Sequence, residues 1–335
     1  MTFDGMLKEK QEFINKVIEG LDFDAHPLLK VPAKHALMTG GKRLRPLMCM
    51  LCAEALGGDY RDTKDAFLAL ELIHNGTLVH DDIIDEDLFR RGVPSAHVEF
   101  GGKRAVLTGD VLLSLGLKYA TKTGNLKIVS WLSDTALKMI QGVVLQTYSR
   151  RKVASERTYL NIAYLKSGSL FEAAAALGGL AASGDEEAVT RLSDFGRCFG
   201  MAYQIRDDVC GVLSEDKSDL SRSDISNGDL TLPLIYALDS NCISEGDKGH
   251  LMGIFLGRSE GVDEVMVRRI YEESGALDRS VEKMRGYAEE GRKALGHFEG
   301  SEALECIKYL LEQYYKFFSP VRGIEIVIEG HRPHP

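Results

Sequence analysis

The sequence predicts an all-α protein, one helical domain over residues 1–335. Three observations carry that reading. Apolar residues recur at helical spacing through most of the chain. Alternating strand patterns are absent apart from one ambiguous stretch, GIEIVIEG at 323–330. The lettering is rich in Ala, Leu, Glu and Lys and holds only 8 prolines in 335 residues, which favours helix. Taken in order, the periodicity predicts helices over 3–19, 43–57, 62–86, 103–121, 125–151, 156–183, 186–212, 262–294 and 300–317. Turn residues separate them: TGGKR at 39–43, GGD at 57–59, RGVPS at 91–95, SGD at 183–185 and SNGD at 226–229. The polar segment 213–229 reads as a surface loop, and no linker or internal repeat divides the chain.

Composition narrows the function. Hydrophobic residues make up 44% and charged residues 27%, the balance of a soluble globular protein. A formal charge of -9 speaks against a nucleic-acid binder, which needs a basic face; an acidic protein still binds anions when divalent metals mediate. The 6 cysteines show no framework spacing, and no signal peptide opens the chain. Both point to free thiols in a reducing cytoplasm. Cys49 and Cys52 spell CxxC but lie inside continuous apolar helix, so core packing is their expected role. No apolar run is long enough to span a bilayer.

The chemistry lies in two acidic clusters and one basic turn. In LVHDDIIDEDLFRRG (78–92), Asp81 and Asp85 fall one helical turn apart with Asp82 beside them. Hard oxygen donors so arranged suit Mg²⁺, which takes one or two carboxylates and leaves its other positions to water and phosphate. A helix C-terminus is the wrong end for so much acid unless a cation visits. Asp207 and Asp208 form a second pair near the end of another long apolar helix, so the two pairs are able to face each other across a cavity. TGGKRLRP places Lys42, Arg43 and Arg45 after a double-glycine turn, where amides and guanidinium groups grip phosphate. Arg90 and Arg91 follow the first cluster, and His74 lies two turns before Asp81 on the same face. Together these read as a site for two diphosphates, one held through metal and one held directly by bases.

From about residue 35 to 240 the chain resembles the trans-isoprenyl diphosphate synthases, or polyprenyl synthetases, in particular prokaryotic geranylgeranyl and short-chain prenyl diphosphate synthases. The blocks GGKRLRP, ELIHNGTLVHDDIIDEDLFRRGVPSAH, YLKSGSLFEAAA and YQIRDDVCG…NGDLTLPLIYAL appear in the order of that family's signatures. The resemblance implies antiparallel helices around a deep apolar cavity, usually in a homodimer. It also implies head-to-tail condensation of isopentenyl diphosphate with an allylic diphosphate, in the cytoplasm, with three Mg²⁺ per active site and Mn²⁺ able to substitute. Position by position, Asp81, Asp82, Asp85, Asp207 and Asp208 would serve the metals. Arg90, Lys166 and Gln204 would contact the allylic diphosphate, with Ser167 where the family often has Thr. Lys42, Arg45, His74 and Arg91 would hold isopentenyl diphosphate. Four places depart from the family pattern: Gly211 replaces a third Asp, Asp229 stands at a common Lys, Val143 stands at a frequent Glu, and Lys217 substitutes poorly for a Gly-Lys pair in a loop about two residues short. A non-catalytic subunit of a heteromeric synthase is the alternative reading. A terpene cyclase would not need the basic turn, and an HD-type phosphohydrolase built on His80–Asp81 would leave the arginines without purpose.

The resemblance also places product length in the residues before the first cluster. Gly76 and Thr77 are small and would leave the cavity floor open, which predicts a product of C20 or longer and a shorter one after Gly76→Phe. The directions of Ile73, Leu70 and Phe171 would set the remaining depth.

Overall fold

Amphipathic periodicity becomes helix wherever a cap and an apolar stripe coincide. Thr2 caps the first helix through Gly5 N at 3.2 Å, Asn125 caps another through Lys127 N at 3.0 Å, and Thr231 a third through Leu234 N at 3.4 Å. Each satisfies an amide that the first turn leaves open. The computed structural model describes residues 2–23, 25–213, 224–259 and 262–315. Within them the order is α1 (Phe3–Glu19), α2 (Pro27–Met38), α3 (Leu44–Ala55), α4 (Lys64–Ile84), then a two-residue hairpin, β1 (Phe89–Arg90) and β2 (Val93–Pro94). There follow α5 (Ala96–Phe100), α6 (Gly102–Lys122), α7 (Leu126–Ser149), α8 (Glu156–Ala163), a π turn over Tyr164–Gly168 and α9 (Ser169–Ala181). The remainder is α10 (Glu186–Leu213), α11 (Asp224–Asn227), α12 (Leu232–Asp239), α13 (Glu245–Phe255), α14 (Glu264–Glu273), α15 (Ala276–Leu295) and α16 (Glu302–Tyr315).

Small residues let the central helices approach closely. A Cβ on Gly178 of α9 would stand 2.2 Å from the Cys49 carbonyl of α3, and one on Gly196 of α10 would stand 2.4 Å from the Phe171 carbonyl of α9. On the other side of α4, Ile73 fills the notch at Gly116 of α6 and His80 fills the notch at Gly109. The two acidic helices, α4 and α10, both pack against α9. Cys49 and Cys52 are fully buried in this core, and burial pushes the Cys49 thiol up to about 12, so neither is a redox or metal group at neutral pH.

Some elements differ from the sequence reading. α2, α12 and α13 were not predicted, nor were the short α5 and α11, the latter inside the segment read as a loop. α2 begins at Pro27, which a first turn tolerates, and carries Pro32 inside; two prolines in twelve residues hide a helix from pattern reading. The stretch 262–294 is two helices, broken at Gly275 with φ 71°, and 156–183 passes through the π turn. α7 is long and apolar enough to cross a membrane by length and composition, contrary to the expectation that no segment qualifies. In the fold one side of it packs on α4, α6 and α9. The segment 323–330 and Lys217 lie outside the described residues, as does most of 213–229.

Candidate active site

The first acidic cluster closes α4. Asp85 is the helix C-cap, its amide bonded to the Asp81 carbonyl at 2.8 Å. The hairpin then returns the chain: Arg91 and Gly92 occupy its tip with φ of 53° and 78°, as a primed turn requires. This fold-back aims Arg90 at Asp82, to which its Nε donates at 2.8 Å and its Nη2 donates as well. Arg91 turns the other way and donates from Nη1 to the Gly40 carbonyl. It rests where a Cβ on Gly41 would be, so the double glycine makes room for a guanidinium. Asp85 is held by Arg150 at the end of α7, Nη2 to Oδ1 at 2.7 Å. Asp81 carries no such bond, and burial pushes it up to about 6, with the charge of Lys166 pulling it back.

The second cluster is split, with Asp208 buried and Asp207 exposed beside Arg206 at 3.8 Å. A cavity of about 380 Å³ is lined by Asp207, Asp208, Asp224 and Asp229 together with Gln146, Lys166 and Gln204. Desolvation pushes Asp207 up to about 6. It raises Asp208 too, aided by the neighbouring charge of Asp224. Lys166 reaches this cavity, and Ser167 reaches Gln204 on its lining, from the π turn that inserts one residue between α8 and α9, a device common at functional sites. Gly142 of α7 provides the clearance: a Cβ there would lie 2.8 Å from the Lys166 side chain. Lys166 Nζ donates to Gln146 Oε1, Ser167 donates to Gln204 at 2.5 Å, and Gln204 Nε2 donates to Asp208 at 2.8 Å.

The basic turn splits its labour. Arg43 adopts φ 50° and is buried; its two Nη groups donate to Glu71 and the Leu37 carbonyl, both at 2.5 Å. It anchors the turn. Arg45 stacks 4.4 Å from the Phe171 ring and donates to His74 Nε2 at 3.2 Å. Burial beside Arg45 holds His74 well below the usual imidazole range, so it is neutral, accepts at Nε2 and carries its proton on Nδ1. That Nδ1 and the Nε of Arg45 are buried without an acceptor. Lys42 sits 5.2 Å over the Tyr314 ring, and Arg206 lies over the same ring. Buried donors lacking acceptors are the mark of an anion site.

Other expected residues fall elsewhere. His80 contacts the Val106 carbonyl at 3.1 Å and Asp110 at 3.6 Å on α6, so it does not pair with Asp81 as an HD motif. Gly76 faces α6: a Cβ would stand 3.1 Å from the Gly109 carbonyl and from Leu113. This corrects the expectation that its missing side chain simply leaves open floor, since Leu112 and Leu113 already occupy the space. Thr77 is buried and donates to the His74 carbonyl at 2.8 Å. Phe171 lies under Arg45. Gln146, Arg150, Asp224 and Asp229 were not singled out as site residues, although Asp229 had been noted as a departure; each belongs to an element whose fold-back no local pattern announces.

The donor set fits Mg²⁺. Among the described residues no three His, Cys, Asp or Glu close a cage. Open sets of oxygen donors suit an ion that keeps several waters. Asp208 Oδ2 is buried with no hydrogen-bond partner, and Asp81 is raised by burial despite the charge of Lys166. A cation would satisfy both.

Residues 26–273 match the family described as polyprenyl synthetase. The chain is a polyprenyl synthetase. It is 32% identical over 331 residues to the geranylgeranyl diphosphate synthase of Methanosarcina mazei, covering 94% of this chain and 99% of that one. It is 32% identical over 299 residues to the short chain isoprenyl diphosphate synthase of Methanothermobacter thermautotrophicus, covering 87% and 90%. The crystal structure of a polyprenyl synthase from Caulobacter crescentus, complexed with calcium and isoprenyl diphosphate, superposes with a TM-score of 0.85 at 28% identity, covering 93% of this chain and 96% of that one. The all-α fold class read from the sequence is therefore that of the polyprenyl synthetases.

Proposed function

We propose that this polyprenyl synthetase condenses isopentenyl diphosphate head to tail with a C5 to C15 allylic diphosphate, yielding a trans-polyprenyl diphosphate of C20 or longer and releasing pyrophosphate. The observation that carries the reading is the division of the site. Carboxylates of α10 line a cavity with Lys166 and Gln204, and Arg150 ties Asp229 of that cavity to Asp85 of α4, while Lys42, Arg45, His74 and Arg91 gather around the glycine turn with buried donors unsatisfied. One half suits a metal-bound diphosphate and the other a directly held one. Similarity to the geranylgeranyl and short chain synthases supports both the substrates and the length.

Asp81, Asp82, Asp85, Asp207 and Asp208 would hold three Mg²⁺, for which Mn²⁺ substitutes. The bound metal supplies Lewis-acid charge that stabilises the departing pyrophosphate. Lys166, steadied by Gln146, and Gln204, steadied by Ser167, point donors at the leaving oxygens. Neutral His74 offers its Nδ1 proton as a hydrogen bond while Arg45 carries the charge. The allylic bond ionises, the isopentenyl double bond attacks the cation, and the proton then leaves to pyrophosphate. The packed apolar core behind the motifs keeps water from the cation. Chain length rests on the α4–α6 wall, where Thr77 and the Gly76–Leu113 contact lie.

The same reading takes residues 1–335 as one domain, supported by a core cluster reaching from α1 to α16, and places it in the cytoplasm, supported by 6 unpaired cysteines. It takes the protein as a homodimer. Val106, Leu107 and Leu117 of α6 and Leu137, Ile140, Val144 and Tyr148 of α7 are exposed, an apolar surface of the kind a subunit contact covers. Neither nucleic acid nor membrane has a role in it. The test is a Mg²⁺-dependent assay with labelled isopentenyl diphosphate and separate C5, C10 and C15 primers, with products resolved by length. Elongation by the purified chain establishes the synthase. Elongation only after adding a second subunit supports the regulatory alternative, which Gly211 and Asp229 favour. Ultracentrifugation reads the oligomer.

A further inference from the structure

A continuous polar rim runs from Lys166 to the first acidic cluster. Lys166 Nζ donates to Gln146 Oε1, and Gln146 Nε2 donates to Asp229 Oδ1 at 2.9 Å. Asp229 receives Arg150 through Nε at 2.9 Å and Nη2 at 3.4 Å, and the same Nη2 reaches Asp85 at 2.7 Å. Gln146 and Arg150 stand one turn apart at the end of α7, so one helix face presents both to Asp229. Asp229 is buried and lines the cavity with Asp207 and Asp208. The Arg150 side chain is 22% exposed, and its Nη1 has no hydrogen-bond partner among the described residues.

This arrangement solves a problem the sequence poses. At 229 the side chain is an acid facing a cavity meant for a polyanion. Left alone it would repel the substrate. Asp229 instead holds the stem side of a guanidinium, fixing its plane and leaving the Nη1 edge free for a phosphate oxygen.

We propose that Arg150 is a binding residue for the allylic diphosphate, held in place by Asp229 and Gln146. The proposal rests on the function argued above and deepens it. Arg150 touches the substrate, whereas Asp229 is a positioning residue that acts through it. Asp85 would exchange part of its Arg150 contact for metal on loading, freeing Nη2 for the same diphosphate.

The test measures calorimetric binding of geranyl S-thiolodiphosphate, an allylic analogue that resists ionisation, with Mg²⁺ present, alongside turnover. The proteins are wild type, Arg150→Ala, Arg150→Lys, Asp229→Asn and the double variant Arg150→Ala/Asp229→Lys. Arg150→Ala should weaken the analogue and raise the allylic KM by about tenfold or more, with the isopentenyl diphosphate KM unchanged within about twofold. Arg150→Lys should recover part of the loss, and Asp229→Asn should fall between. The double variant should regain affinity relative to Arg150→Ala, because a lysine then supplies the cation directly. If Arg150→Ala lowers only the melting temperature and leaves both analogue affinity and KM intact, Arg150 is a structural tie and the proposal fails. If wild type binds the analogue but makes no product, the synthase reading fails while the Arg150 comparison still decides this one. If wild type does not bind the analogue, both fall.

Discussion

The two aspartate pairs look alike in the sequence and differ in the structure. At the end of α4 the acids are already answered by guanidinium groups: Asp82 by Arg90 and Asp85 by Arg150. On α10 the answer is divided. Asp207 is 45% exposed with Arg206 3.8 Å away, whereas Asp208 is buried, shares its cavity with Asp224 and Asp229, and has neutral Gln204 as its close partner. One wall neutralises its charge with its own bases, and the other keeps the charge of Asp208 costly until a cation arrives. A metal therefore gains most at the second wall, while the first is poised for exchange between arginine and metal.

The largest test of that contrast is activity. Asp81→Ala removes the one first-wall carboxylate without an arginine partner and should lower kcat by on the order of a hundredfold to a thousandfold, read in the elongation assay. Next comes stability without metal, measured by urea unfolding in EDTA. Asp82→Asn should destabilise by about 1–3 kcal/mol, because it strands Arg90, with the usual burial figure discounted for that side chain's partial exposure. Asp208→Asn should be neutral or stabilising. Equal losses at both positions would erase the distinction between the walls.

A pH series sharpens it further. Asp207 is raised from its ordinary 3.8 to about 6, so the folded state binds its proton more tightly than the unfolded chain. Its ionisation therefore costs stability as pH rises through that window, and nothing below it. Metal-free wild type should fall relative to Asp207→Asn by about 1 kcal/mol between pH 4 and 6, then level off, the full figure being discounted for a side chain that is 45% exposed. Mg²⁺ should abolish the difference. A gap that widened toward acid would reverse the sign and sink the account. Smaller effects are expected at the glycines. Gly142→Ala should push Lys166 aside and lower kcat by about tenfold with little change in melting. Gly76→Ala should cost about 1 kcal/mol against α6, seen as a shifted urea midpoint, with product length unchanged.

Pattern reading found the long helices because their stripes and caps are local. It lost α2 to its prolines, and α12 and α13 to short, weakly periodic runs. The same division holds at the site. Asp81, Asp82, Asp85, Asp207 and Asp208 announce themselves as clusters, and the GGKR turn as a glycine pair beside bases. Arg150 and Gln146 sit in an ordinary helix end, and their partner is about 80 residues away; only the fold brings them together. Gly76 shows the converse error. A small residue reads as empty space in one dimension, but in three dimensions Leu113 fills it.

The π turn at Tyr164–Gly168 has a consequence for length-altering edits. It contains a surplus residue that a regular helix would not need, so the backbone there could lose one position and relax into α geometry without breaking either flanking helix. Such a deletion would leave α8 and α9 nearly in phase yet remove the bulge that carries Lys166 and Ser167 outward to Gln146 and Gln204. The place where this chain would best tolerate shortening as a folded object is also the place where shortening would uncouple its two catalytic halves.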